Sequence, residues 1–224
     1  MNIRPGTASM PNPSVTPADR WRAVAQRVLM HPWARPVVFG LMCGPLAWLI
    51  WAVFMDQLGA NPAEALIRSL GDWTLRSLVL VMCITPLRVG LGLPALARWR
   101  RMLGLFVFFY ASLHLTAYAW FDMGFYWSEV VADVAQRPFI LVGMLSWSLL
   151  LLMALTSFNR AIRWLGAARW RLLHRAVYAV CVFGLLHFFW MRAGKNDFNE
   201  VLVYAFLLAV LLGWRVWRRV SSRD

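Results

Sequence analysis

Residues 103–121 read LGLFVFFYASLHLTAYAWF, and residues 172–191 read LLHRAVYAVCVFGLLHFFWM. Each run is close to the roughly 20 mostly apolar residues that a helix needs to cross a bilayer. Each also carries a histidine deep inside, His114 in the first and His187 in the second, and His174 stands at the mouth of the second. An imidazole in hydrocarbon is costly unless something binds it, so an ionisable residue at that depth is a functional candidate by default.

The rest of the chain agrees with a membrane reading. Of 224 residues 61% are hydrophobic, and the mean hydropathy of +0.58 is well above that of a soluble domain. Six segments approach spanning length: about 37–55, 73–90, 103–121, 139–156, 172–191 and 201–217. The predicted fold is therefore all-α, a polytopic bundle of six transmembrane helices. Residues 1–36 form a tail with a short interfacial helix, 37–217 the membrane domain and 218–224 a second tail. All six spans read as short, so bilayer thinning or interfacial anchoring is expected to help.

Basic residues set the orientation, because cytoplasmic loops keep the excess of Lys and Arg. One side of the predicted bundle holds 18 of the 23 basic residues and the other holds five. Asp56, Glu64, Asp72, Asp122, Glu129, Asp133, Asp197 and Glu200 segregate to the basic-poor side. Both termini are thus expected in the cytoplasm. The net charge of +13 is explained by anionic lipid headgroups meeting an arginine-rich inner face, and nucleic acid is not an expected partner.

The first 36 residues contain no apolar core of a cleaved signal peptide. The Pro-, Ser- and Thr-rich opening reads as disordered. From Thr16 a short helix is predicted, with Thr16 as N-cap, Pro17 in the first turn and Asp19 near the positive helix end. Trp21, Val24 and Val28 share one face, as in a helix lying on a membrane surface. His31, just beyond it, reads as an interfacial residue. No repeat, soluble domain or dinucleotide fingerprint is present. Cys43, Cys83 and Cys181 fall inside spans without paired spacing and read as small hydrophobes, which excludes iron–sulfur and zinc sites.

Depth brings two histidines together. His114 lies 11 residues beyond Leu103, roughly 16 Å from the start of its span at about 1.5 Å per residue. His187 lies about 15 residues into a span of the same direction. Modest tilt would bring the two level, within reach of one porphyrin held between two helices as in a low-spin electron-transfer haem. The plainer reading is a pair of interhelical hydrogen bonds. Phe108, Phe109, Tyr110, Phe188, Phe189 and Trp190 are expected as bulky walls. His174 is 13 residues from His187, which leaves the two roughly 140° apart on an ideal helix. Stacking two haems on that span would need a distortion, with Gly184 as the weak point. His174 is therefore left with three readings: ligand of a second haem, contact for a quinol or flavin, or an interfacial cap. Arg76, near the outer face, either snorkels or pairs a haem propionate.

Several strings resemble one family: LGANPAEAL at 58–66, ITPLR at 84–88, RRMLGLFVFFYASLHLTAY at 100–118, RPFILVG at 137–143, LTS at 155–157, LGAARWRLLHRAVY at 165–178 and LLHFFW at 185–190. The chain resembles the MsrQ (YedZ) family of haem-binding membrane subunits, within the ferric-reductase-like transmembrane group. Where related chains carry a Thr-Gly-type pair before the second span, this one has Leu70, Gly71 and Asp72. The resemblance implies that the family's haem-associated histidines fall on His114, His174 and His187. It further implies electron relay by haem b in the bacterial inner membrane, from the quinone/quinol pool to MsrP. That partner is a periplasmic molybdopterin enzyme that reduces methionine sulfoxide in oxidised proteins. FMN is associated with the family. No sulfoxide reduction by this chain alone is expected, and the outer segment 122–137 is the expected docking surface. The alternatives are a ferric-reductase-like oxidoreductase with another acceptor, and a non-redox transporter or structural membrane protein.

Overall fold

A computed structural model describes residues 16–194 and 196–222. Among these every regular element is helical, and six helices are long and apolar enough to cross a membrane. The Pro-, Ser- and Thr-rich opening lies outside the described residues.

Helix α1 (Pro17–Met30) begins with a reciprocal cap: the Asp19 amide donates to the Thr16 hydroxyl at 3.2 Å, and the Thr16 amide donates back to the Asp19 carboxylate at 3.2 Å. The Thr16 hydroxyl also donates to that carboxylate at 2.7 Å, and this bond, with the Thr16 amide, holds the Asp19 carboxyl below the usual carboxylate range. Trp21, Val24 and Val28 remain exposed on one stripe. The other side docks on the 3₁₀ turn Pro94–Arg98, where Arg98 donates to the Leu29 carbonyl at 3.2 Å. His31 is exposed and accepts from the Trp33 amide at 3.3 Å.

The spans are α2 (Ala34–Phe54), α3 (Pro62–Gly90), α4 (Trp99–Ala117), α6 (Pro138–Leu155), α9 (Val177–Ala193) and α10 (Asn199–Val220). A π-helical turn, Tyr118–Asp122, continues α4, and α5 (Trp127–Gln136) leads into α6. Two short helices, α7 (Asn159–Leu165) and α8 (Ala167–His174), precede α9. Several spans are longer than the hydropathy implied. The 29 residues of α3 amount to about 43 Å at 1.5 Å per residue, more than a hydrocarbon core of about 30 Å. Its first turns hold Glu64, Arg68 and Asp72, which lower the local hydropathy although they face a cavity.

Packing is organised in two helix pairs, α3 with α4 and α6 with α9. One core cluster gathers Leu70, Ile84, Leu103, Phe106 and Tyr110 with Met42 and Leu49 of α2. The Tyr110 hydroxyl is fully buried and donates to the Met42 carbonyl at 2.6 Å. A second cluster joins Leu78, Val107, Leu150, Val180, Cys181 and Leu208, so five spans meet there. Outside these clusters large apolar side chains are exposed along the spans, among them Trp48, Phe54, Leu145 and Phe206. In water such a surface would aggregate, whereas against acyl chains it is what a spanning helix presents.

The distortion that stacking two haems on the fifth span would need is not found at Gly184. Gly184 sits inside a regular α9, and the α-helical hydrogen-bond pattern is interrupted instead at Arg175 and Ala176, where i→i−3 bonds join α8 to α9.

Candidate functional site

Each of the two helix pairs holds one buried histidine in the same way. The Nδ1–H of His114, from α4, donates to the Ile67 carbonyl of α3 at 2.8 Å. In the second pair the Nδ1–H of His187, from α9, donates to the Phe139 carbonyl of α6 at 2.7 Å. Residues four places further along the acceptor helices are Gly71 and Gly143, the positions whose amides close the helical bonds to those carbonyls. A Cβ at Gly71 would lie 3.2 Å from His114 Cε1, and one at Gly143 would lie 2.9 Å from His187 Nδ1. Glycine therefore does the same job twice: it opens the flank of a helix so that an imidazole can reach a carbonyl already engaged in that helix.

The tautomer follows. A carbonyl can only accept, so Nδ1 carries the proton in both rings and Nε2 keeps its lone pair. This is the usual arrangement of metal-ligating histidine, whose second nitrogen is oriented by a backbone carbonyl or carboxylate.

The two rings stand edge to face across the gap between the helix pairs, with centroids 6.1 Å apart and planes at 79°. They line a cavity of about 290 Å³ between the helix pairs, close to the lower end of the roughly 300–1,000 Å³ of ligand pockets. Its walls are apolar toward the bundle centre, with Leu75, Ala111, Ile140, Leu150 and Phe188, and small at Gly184. Its other end is polar, with Glu64, Arg68, Asp72, Tyr118, Asp122 and Arg137. Arg68 pairs with Glu64. Asp133 receives both the Tyr118 hydroxyl at 2.6 Å and Arg137 Nε at 2.8 Å.

This donor set is selective. Among the described residues no group of three or more His, Cys, Asp or Glu could enclose a metal ion. Two opposed imidazoles suit a metal that brings its other ligands with it, as haem iron does.

Other expected residues lie elsewhere. His174 ends α8 and is outside the cavity lining. Its ring stacks on Trp170 with centroids 4.0 Å apart, its Nδ1–H donates to the Trp170 carbonyl at 3.1 Å, and its Nε2 is buried without a hydrogen-bond partner. Arg76 is also outside the lining; its guanidinium lies over the Trp73 ring at 4.8 Å. Arg68 and Arg137 are the arginines that reach the cavity. Of the expected aromatic walls only Phe188 lines it, joined by Phe139 and Trp147. Phe109, Phe189 and Trp190 are exposed, because neighbours three or four residues away share a helix face and adjacent residues do not.

Comparison with known proteins can now be set beside this geometry. The family model described as ferric reductase like transmembrane component matches residues 70–185. A chain from Polaromonas naphthalenivorans (strain CJ2), named protein-methionine-sulfoxide reductase heme-binding subunit MsrQ, is 58% identical over 209 residues, covering 90% of this chain and 95% of its own length. The chain belongs to the MsrQ family. Relatives of the same name from Bordetella parapertussis and Ralstonia nicotianae are 49% identical over 188 residues and 44% identical over 205. These cover 83% and 92% of this chain, and 91% and 90% of their own lengths. The MsrQ relatives are thus matched over more of this chain than the ferric-reductase model, whose match ends two residues before His187. No solved structure matches.

Proposed function

We propose that this chain is the haem-carrying membrane subunit of a methionine sulfoxide reductase system, in which His114 and His187 would hold one haem b. The observation that carries the proposal is the pair of opposed imidazoles, 6.1 Å apart, each anchored through Nδ1 to a backbone carbonyl. The name borne by the relatives, heme-binding subunit, supports the same reading.

A haem in this place supplies reversible one-electron chemistry. The chain's own residues do the rest. The carbonyls of Ile67 and Phe139 fix ring orientation and raise the basicity of Nε2. Leu75, Ile140, Leu150 and Phe188 keep water from the apolar part of the cavity, and Arg68 and Arg137 at the polar end are placed to meet acidic groups at the edge of a porphyrin. In this reading the chain carries electrons, and sulfoxide reduction falls to a partner.

In this reading the arginine-rich end faces the cytoplasm of a bacterial inner membrane and takes electrons from the quinol pool, with FMN as an associated cofactor. His174, near that end, serves this delivery. The acidic end faces the periplasm and passes electrons to MsrP through the 122–137 segment. The test uses purified chain with haem supplied. A quinol should reduce the haem, and addition of oxidised MsrP should reoxidise it. His114→Ala and His187→Ala should each abolish the same haem signal. Full haem retention in either variant contradicts the ligand assignment. Reoxidation by a ferric chelate but not by MsrP contradicts the partner and favours a ferric-reductase-like role.

A further inference from the structure

At the arginine-rich end, three guanidinium groups converge from three helices. Arg88 is near the end of α3, Arg100 near the start of α4 and Arg215 near the end of α10, with Tyr178 of α9 in hydrogen-bond contact with Arg215. The charges acting on Arg100 include Arg88 and Arg215, both of its own sign. Arg215 is committed to two carbonyls, Leu211 at 2.7 Å and Met82 at 2.5 Å. The other two are not committed: Nε and Nη2 of Arg100 and Nε of Arg88 are buried with no hydrogen-bond partner. The remaining arginines of this end that lie nearby in sequence are satisfied, Arg98 by Leu29 and Arg101 by Asn159.

Buried guanidinium nitrogens without acceptors are expensive, and like charges gathered without a counter-ion add repulsion. A carboxylate would normally answer them. The only carboxylate among the described residues at this end is Asp19, and Thr16 holds it in the α1 cap. Among the described residues, then, no carboxylate is free to answer these guanidinium groups, and an added anion would do so. Converging planar forks suit the tetrahedral oxygens of phosphate, which guanidinium groups bind by paired hydrogen bonds. Basic pockets between helix ends on the cytoplasmic side of membrane proteins take lipid phosphates in the same manner.

We infer that Arg88 and Arg100 form a binding site for one phosphate group at the arginine-rich end of the bundle, beside the Arg215 that is held by the Met82 carbonyl. The phosphate is that of an anionic lipid headgroup or of a soluble phosphate monoester. The site is separate from the histidine cavity, and its assignment does not depend on haem.

The experiment is native mass spectrometry of the full, haem-loaded chain in phosphate-free detergent. Phosphatidylglycerol and FMN are titrated separately, with digalactosyl diacylglycerol and riboflavin as their phosphate-free counterparts. One equivalent of phosphatidylglycerol or of FMN should be retained in preference to its counterpart. Arg100→Gln should weaken that retention by about tenfold or more, as loss of charge-assisted hydrogen bonds does, with the haem absorption unchanged. Arg88→Gln, approaching from a different helix, gives the same readout if the Arg100 variant fails to accumulate. Retention of the lipid alone identifies a headgroup site, and retention of FMN alone a soluble-ligand site. Retention of neither probe, or equal retention by wild type and both variants, overturns the site.

Discussion

At the scale of single residues, the site is a device used twice. A histidine on one helix reaches a carbonyl on its neighbour, and a glycine one turn further on makes the approach possible. The two glycines differ in how much room they leave. Alanine at 143 would put a methyl 2.9 Å from the His187 ring, inside any real contact, while alanine at 71 would sit 3.2 Å from His114. Gly143→Ala is therefore expected to displace His187 and cost most of the low-spin haem signal, and Gly71→Ala to weaken it less; equal, unperturbed spectra in both would contradict the device. His174→Ala is expected to leave that signal intact, since its ring packs on Trp170 away from the cavity; loss of the cavity haem in this variant would place His174 in the wrong role. The histidines themselves were legible in the sequence because charge-bearing groups stand out in apolar runs. Their anchors were not, since each joins residues 47 or 48 positions apart. Arg68 and Arg137 were missed as cavity residues for the same reason: nothing in one chain's pattern says which of several outer arginines turns inward.

At the scale of elements, Pro86 and Arg215 compensate one another. Proline has no amide hydrogen, so Pro86 leaves the carbonyl four residues earlier, Met82, without its helical donor. Arg215 of α10 supplies that donor. Arg215→Met should destabilise the bundle by about 1–3 kcal/mol, the cost of an unsatisfied buried polar group. Adding Pro86→Ala should recover much of this, because the new amide can close the helical bond. Thermal unfolding in detergent reads both, and a double variant no more stable than Arg215→Met would contradict the compensation. The apolar centres of all six spans were legible from hydropathy, but their ends were not. α3 begins at Pro62 rather than near 73 because its Glu64, Arg68 and Asp72 turn toward the cavity, and window hydropathy cannot distinguish an inward charge from a loop charge. The break between α8 and α9 was likewise hidden, with neither Gly nor Pro at Arg175 and Ala176 to mark it.

At the scale of the whole molecule, two helix pairs clasp one cavity, and the charged ends differ in sign. Six spans return the chain to the side on which it began, so a single orientation governs both tails. A fluorescent protein fused after residue 224 should fold and fluoresce in cells, while alkaline phosphatase at the same place should stay inactive; the opposite pair of results would invert the bundle and the direction of electron flow with it. The arrangement makes sense as a relay because the histidine cavity has its polar mouth at the acidic end, and the arginine cluster lies at the other. The most direct test of the account is the reduced-minus-oxidised absorption spectrum of the purified chain, expressed with ample haem. A sharp Soret band with resolved α and β bands, lost in both His114→Ala and His187→Ala, is the predicted result; a colourless wild-type protein would contradict it.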